Sequence, residues 1–128
     1  MPNLADAMPF ATLLGIEVSK AKPNVVVGTL SVRPDICTVG DIIHGGALMA
    51  FADSLGAIGA YLNRPEGAEG TITIESKSNF IGRAEVEAIL TGTSTPVSVG
   101  KRLSVWQTRI TSEDENLIAL ITQTQLVI

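Results

Sequence analysis

The stretch Gly45–Leu62, GGALMAFADSLGAIGAYL, is the one segment of the chain long enough to be a major helix. It runs into Asn63-Arg64-Pro65, a plausible stop, because proline cannot continue a helix. Asp53, Ser54 and Tyr61 are its only polar side chains, so it is apolar almost all round and is expected to be buried. Gly45, Gly46, Gly56, Gly59 and several alanines cost helix propensity but permit close approach of another backbone. The run is short for a membrane span and carries a carboxylate at its centre, so no membrane role is expected.

Downstream of this helix the signal is all strand. Residues 70–80, 85–95, 102–111 and 117–127 are rich in Ile, Val and Thr. Gly82, Pro96, Gly100 and the run Ser112-Glu113-Asp114-Glu115-Asn116 punctuate them. Upstream, residues 4–14 show a loose helical pattern. Residues 16–20 and 25–32 read as strands around a Lys22-Pro23-Asn24 turn, and residues 33–43 form a loop. The order is helix, two strands, long helix, four long strands. A long, curved antiparallel sheet wrapped around one central helix satisfies it: an α+β class, the hot-dog architecture, as a single domain over 1–128.

Composition narrows the partners. Hydrophobic residues make up 45% and charged residues 17%, with mean hydropathy +0.34, which suits a chain that buries further surface in a homo-oligomer. Nine Lys and Arg against 13 Asp and Glu give a net charge of −4, the wrong balance for a general nucleic-acid binder. The single Cys37 can make no internal disulfide and no cysteine-rich metal site. No targeting segment is visible near the start, so a cytoplasmic location is expected.

Two residues stand out chemically. Asp53 is expensive inside an apolar helix, since Met49, Ala50, Gly56 and Ala57, its helical neighbours, cannot pair with it. His44 is the only histidine and directly precedes Gly45-Gly46, whose first-turn N–H groups, at the positive end of the helix, can polarise a carbonyl or hold an oxyanion. Nine residues separate His44 from Asp53, roughly 13 Å along a helix. One small reacting group cannot touch both on the same chain. If both serve one site, two such helices must run antiparallel across a two-fold axis.

The run His44-Gly45-Gly46-Ala47-Leu48-Met49-Ala50-Phe51-Ala52-Asp53 resembles the HGG-x6-D signature of hot-dog fold acyl-CoA thioesterases. The resemblance is to the phenylacetate-degradation type, related to the 4-hydroxybenzoyl-CoA thioesterase that carries Glu at the Asp position. Thr73 to Phe80 resembles the strand leading to that family's Phe-Leu-x-Pro-Ala segment, with Arg83 in place of the proline, and Gly100-Lys101-Arg102 resembles its Gly-Lys/Arg turn. The likeness runs from about residue 13 to residue 127.

The resemblance implies hydrolysis of a small aromatic or medium-chain acyl-CoA to free acid and coenzyme A, without a metal or a bound cofactor. Asp53 would be the general base or nucleophile, the Gly45 amide would polarise the thioester carbonyl, and His44 would support the helix start. Thr38 stands six residues before His44, where the family usually has Asn or Gln to hold the reacting group. Gly46 belongs to the same substrate-binding helix start. Thr73 matches a Ser or Thr beside the carboxylate, while Phe80, Gly82, Arg83, Gly100, Lys101 and Arg102 match segments lining the coenzyme A channel. Arg83, Lys101 and Arg102 are suited to its phosphates. Two other readings stay open at this point. A non-catalytic acyl-CoA-binding module is favoured by Thr38 and by Ala57, where some relatives have Ser or Thr. A hydroxyacyl thioester dehydratase is disfavoured by the HGG start and the lack of a second histidine.

Overall fold

The computed structural model describes residues 2–128, so Met1 of the expected unit lies outside the described residues. The long helix, α2, spans Gly45–Leu62, with His44 as its N-cap and Asn63 as its C-cap. Six strands form one antiparallel sheet: β1 (Glu17–Lys22), β2 (Val25–Ser31), β5 (Thr71–Phe80), β6 (Ile89–Val99), β7 (Leu103–Thr111) and β8 (Leu117–Val127). Their spatial order is β1-β2-β6-β7-β8-β5, which leaves β1 and β5 as the two edges.

The sheet wraps α2, as the hot-dog architecture requires. Phe51 and Leu55 of the helix are fully buried among Val26, Leu30, Leu90, Ile110 and Ile121. Each such side chain contributes about 1.5–3 kcal/mol by leaving water. Farther along the helix Gly59 sits so close to the sheet that an added Cβ would lie 2.5 Å from the Trp106 ring. The glycines do permit close approach, but what fills the space is sheet side chains rather than backbone.

Burial of α2 is one-sided, in contrast to the all-round burial that its composition suggests. Met49 and Tyr61 are exposed, and Asp53 and Ala57 are only half-buried. These residues recur every four positions and make a stripe that the sheet leaves uncovered.

Four local differences have physical causes. The expected helix over 4–14 splits into a 3-10 turn, Leu4–Ala7, and α1, Pro9–Leu14, because Met8 before the proline is extended. The side chain of Asn3 ties this segment to the sheet, accepting from Val18 N–H and donating to Ile16 C=O, both at 2.8 Å. Within the loop over 33–43, Pro34–Ile36 form a 3-10 turn and a tight ribbon pairs β3 (Cys37–Thr38) with β4 (Ile42–Ile43). Strand β6 starts at Ile89 rather than Glu85, since Glu87 adopts φ 84° in a turn, and it passes through Pro96 by way of an irregularity in register.

Candidate active site

The β3–β4 ribbon feeds directly into α2, and His44 N–H donates back to Ile36 C=O at 3.0 Å. His44 Nδ1 accepts from Gly46 N–H at 2.7 Å. An accepting Nδ1 carries no proton, so the neutral ring holds its proton on Nε2. Ala47 N–H is spent on His44 C=O at 2.9 Å. Gly45 N–H is thus the first-turn donor left over, at the positive end of the helix. Phe80 lies over it: a Cβ on Gly45 would come within 3.2 Å of the ring. Thr38 is exposed in the ribbon, opposite Ile42. A cavity of about 310 Å³ opens beside His44 and Gly46, with Leu13, Ile36 and Cys37 among its walls. The Cys37 thiol donates to Arg33 C=O at 3.3 Å. Burial, then the nearby Asp41 and Asp35, push this thiol above its ordinary range, so it is a poor nucleophile.

Asp53 has partners that its own helix could not supply. Thr73 Oγ1 donates to Asp53 Oδ1 at 2.6 Å, and Gln123 Nε2 donates to the same oxygen at 3.0 Å. Gln125 Nε2 donates in turn to Thr73 Oγ1 at 2.6 Å. Asp53 Oδ2 takes no hydrogen bond from the described residues. The two glutamines, both fully buried, are functional candidates that the sequence reading missed. Their signal was parity: Ala119, Ile121, Gln123 and Gln125 alternate along β8, so all four face the helix. One turn beyond Asp53, a second cavity of about 400 Å³ is lined by Ala57, Ile58, Tyr61, Leu62, Met8 and Leu4.

The predicted residues fall into two groups within one chain. Phe80 pairs with Ala119 at one end of the β5–β8 ladder, and Thr71 pairs with Val127 at the other. That ladder is roughly 30 Å long at 3.3 Å per residue. Thr38, His44, Gly45, Gly46, Phe80, Gly82 and Arg83 gather around the start of α2. Thr73, Gly100, Lys101 and Arg102 belong to the opposite end, where Val127 N–H donates to Arg102 C=O at 2.8 Å. Asp53 is tied to this second group through Thr73. No ion pair involves Arg83, Lys101 or Arg102 among the described residues, and no three His, Cys, Asp or Glu side chains gather there as a metal would need.

Comparison with known proteins adds identity to this geometry. The family model of the thioesterase superfamily matches residues 40–119, the segment from the ribbon through β5 to β8. The chain is 26% identical over 107 residues to the 1,4-dihydroxy-2-naphthoyl-CoA hydrolase of Listeria monocytogenes, covering 84% of this chain and 85% of the relative. Among solved structures, a thioesterase from Haemophilus influenzae superposes with TM-score 0.86 at 25% identity, covering 93% of this chain and 82% of the other. A variant of the phenylacetic acid degradation protein PaaI from Thermus thermophilus also gives 0.86 at 25% identity, over 94% of this chain and 99% of the other. With its hot-dog sheet, its helix-start donor and a family match that runs from the ribbon through α2 to the start of β8, the chain belongs to the thioesterase superfamily.

Proposed function

We propose that the protein hydrolyses acyl-CoA thioesters with an apolar acyl group, small aromatic or medium-chain, using no bound cofactor. In this reading each active site joins the start of α2 from one protomer to Asp53 of its partner. A hydrolase of thioesters is what membership of the superfamily makes it. The observation that carries it is the division of labour along α2: a free donor at Gly45 and a carboxylate with one free oxygen at Asp53, eight residues on.

A thioester carbonyl is already electrophilic. With its oxygen held by Gly45 N–H at the positive end of the helix, negative charge developing on that oxygen is stabilised. Asp53 Oδ2 then either attacks the carbonyl carbon or takes a proton from the attacking water. The C–S bond breaks, coenzyme A leaves as the thiolate and the acid is released, directly or after hydrolysis of an acyl-carboxylate anhydride. The apolar cavity at Ala57 and Ile58 begins one helical turn, about 6 Å, from Asp53 and suits an apolar acyl group. Arg83 of one protomer, with Lys101 and Arg102 of its partner, supplies cations for the phosphates.

The test is a kinetic screen of benzoyl-, phenylacetyl- and fatty acyl-CoAs with wild type and Asp53→Asn. The variant keeps the side chain's shape and removes its charge, so kcat should fall by at least about 10² while the fold and oligomeric state persist. A folded, oligomeric Asp53→Asn protein with near wild-type turnover would overturn the assignment.

A further inference from the structure

We propose that Gln123 and Gln125 are positioning residues that fix the Asp53 carboxyl with Oδ2 free, and that Gly56 is the space that lets Gln123 do so. The proposal rests on the reading of Asp53 as the reacting carboxylate. It starts from an unusual floor. Under the first half of α2 the sheet is apolar, with Leu30, Leu90, Ile110 and Ile121. Under the second half it buries Ser94, Ser104, Thr108, Gln123 and Gln125. Burying a primary amide is costly unless it is paired.

Each glutamine is paired on its nitrogen only; Gln123 Oε1 and Gln125 Oε1 are buried with no partner among the described residues. An amide placed only for packing would gain nothing from that arrangement. Turning Gln123 over would bring its oxygen against Asp53 Oδ1, oxygen to oxygen, so a carboxylate is what fixes the nitrogen there. The same argument orients the other arm. Thr73 has one hydroxyl proton and gives it to Asp53 at 2.6 Å, so it accepts from Gln125 at 2.6 Å. Every dipole in the chain Gln125 to Thr73 to Asp53, and in Gln123 to Asp53, points its positive end at one oxygen. Donors directed at the charged form favour that form and strengthen one another along a chain.

Gly56 supplies an independent observation. A Cβ built there would lie 2.1 Å from Gln123 Oε1 and 2.5 Å from its Cδ. No side chain fits at position 56 while Gln123 keeps this pose. Few other charges face Asp53: α2 and β8 hold no other ionisable group but Tyr61, and β5 holds Glu75 and Lys77, both exposed. Neither makes a hydrogen bond to Asp53, and Lys77 is engaged with Asn79 at 3.2 Å.

The experiment uses the full-length protein and a good acyl-CoA substrate. Gln123→Met keeps the bulk and removes the donor; it should lower kcat by at least about tenfold with KM little changed. Because the carboxylate loses a donor, the acid limb of kcat should move to higher pH. Gln123→Glu has the same shape but sets a second carboxyl beside Asp53, so its limb should move further the same way. Gly56→Ala should reproduce the loss seen in Gln123→Met, and adding Gln123→Ala to it should cost nothing more, since the displaced amide is already gone. Carbon-detected NMR titration of the Asp53 carboxyl, in wild type and Gln123→Met, reads the same shift without turnover. The proposal fails if Gln123→Met and Gln123→Glu fold with unmoved kcat and unmoved Asp53 titration, or if the Gly56 and Gln123 effects simply add. If instead Asp53→Asn keeps full turnover while the NMR titration shifts as stated, the glutamines do hold Asp53 and it is the catalytic reading that falls.

Discussion

Cys37 shows how far a few neighbours can set one side chain's chemistry. It stands at the wall of the His44 cavity, where a nucleophile would be well placed, yet burial and the acids Asp41 and Asp35 raise its pKa. Its thiolate fraction at neutral pH is therefore below that of a free thiol. Iodoacetamide should label the folded protein more slowly than the same chain unfolded in urea at the same pH. The gap should narrow as pH rises through the thiol's range, and Asp41→Asn should speed the folded reaction. Faster labelling of the folded form would show that the surroundings activate Cys37 instead. At this scale, Asp53 and His44 were legible because each is out of place in its segment: a charge on an apolar helix, a lone imidazole before two glycines. Gln123 and Gln125 were not legible. In a strand of the form Ile-Thr-Gln-Thr-Gln every second residue is polar whichever face is buried, so the alternation with Ile121 had to compete with an ordinary wet surface.

Among the elements, β5 is the one whose sequence and placement disagree most. It is ten residues long and pairs with β8 on one side only, with most of its residues exposed, including Ile72 and Ile74. The other edge, β1, is shorter and blunted by Glu17, Lys20 and Lys22. A long, unpaired edge with exposed isoleucines at one end invites a second strand. In the proposed shared-site dimer the occupant is β5 of another copy, giving a continuous sheet across a two-fold axis. Ile72→Lys with Ile74→Lys should then split the oligomer, seen by light scattering, and abolish most of the turnover while circular dichroism keeps the strand and helix signals. An oligomer that survives both charges, with activity intact, would place the interface elsewhere. The bounds of α2 were legible to the residue because glycine and proline punctuate both of its ends. The strand order was not: nothing in the local pattern says that β5 leaves its neighbour β6 and joins the far edge beside β8. That choice comes from covering α2 on one side with all six strands.

For the molecule as a whole, the two groups of site residues become complementary when a partner is added. If β5 pairs antiparallel with its copy, the Phe80 end of one strand meets the Thr71 end of the other. The start of α2, with Gly45 and Arg83, then approaches the partner's Asp53, Thr73, Lys101 and Arg102. The separation of roughly 13 Å between His44 and Asp53, counted along the helix, is what the proposed shared site bridges with two antiparallel copies of α2. Two variants that are each inactive should restore one another. Asp53→Asn removes the carboxylate. Gly45→Pro removes the helix-start N–H, at a position where proline's fixed φ suits the first helical turn and only the exposed Phe80 must shift. Each alone should lose about 10²-fold or more in kcat. Mixed in equal amounts and allowed to exchange subunits, half of the dimers should pair one variant with the other. Each mixed dimer has one site with both defects and one with neither, so the mixture should recover about a quarter of wild-type activity. The recovery should follow the time course of exchange and vanish when exchange is blocked by cross-linking before mixing. If both groups served a site within one chain, no mixed dimer would hold an intact site, and the activity would stay at the level of the two inactive parents however long they were left together.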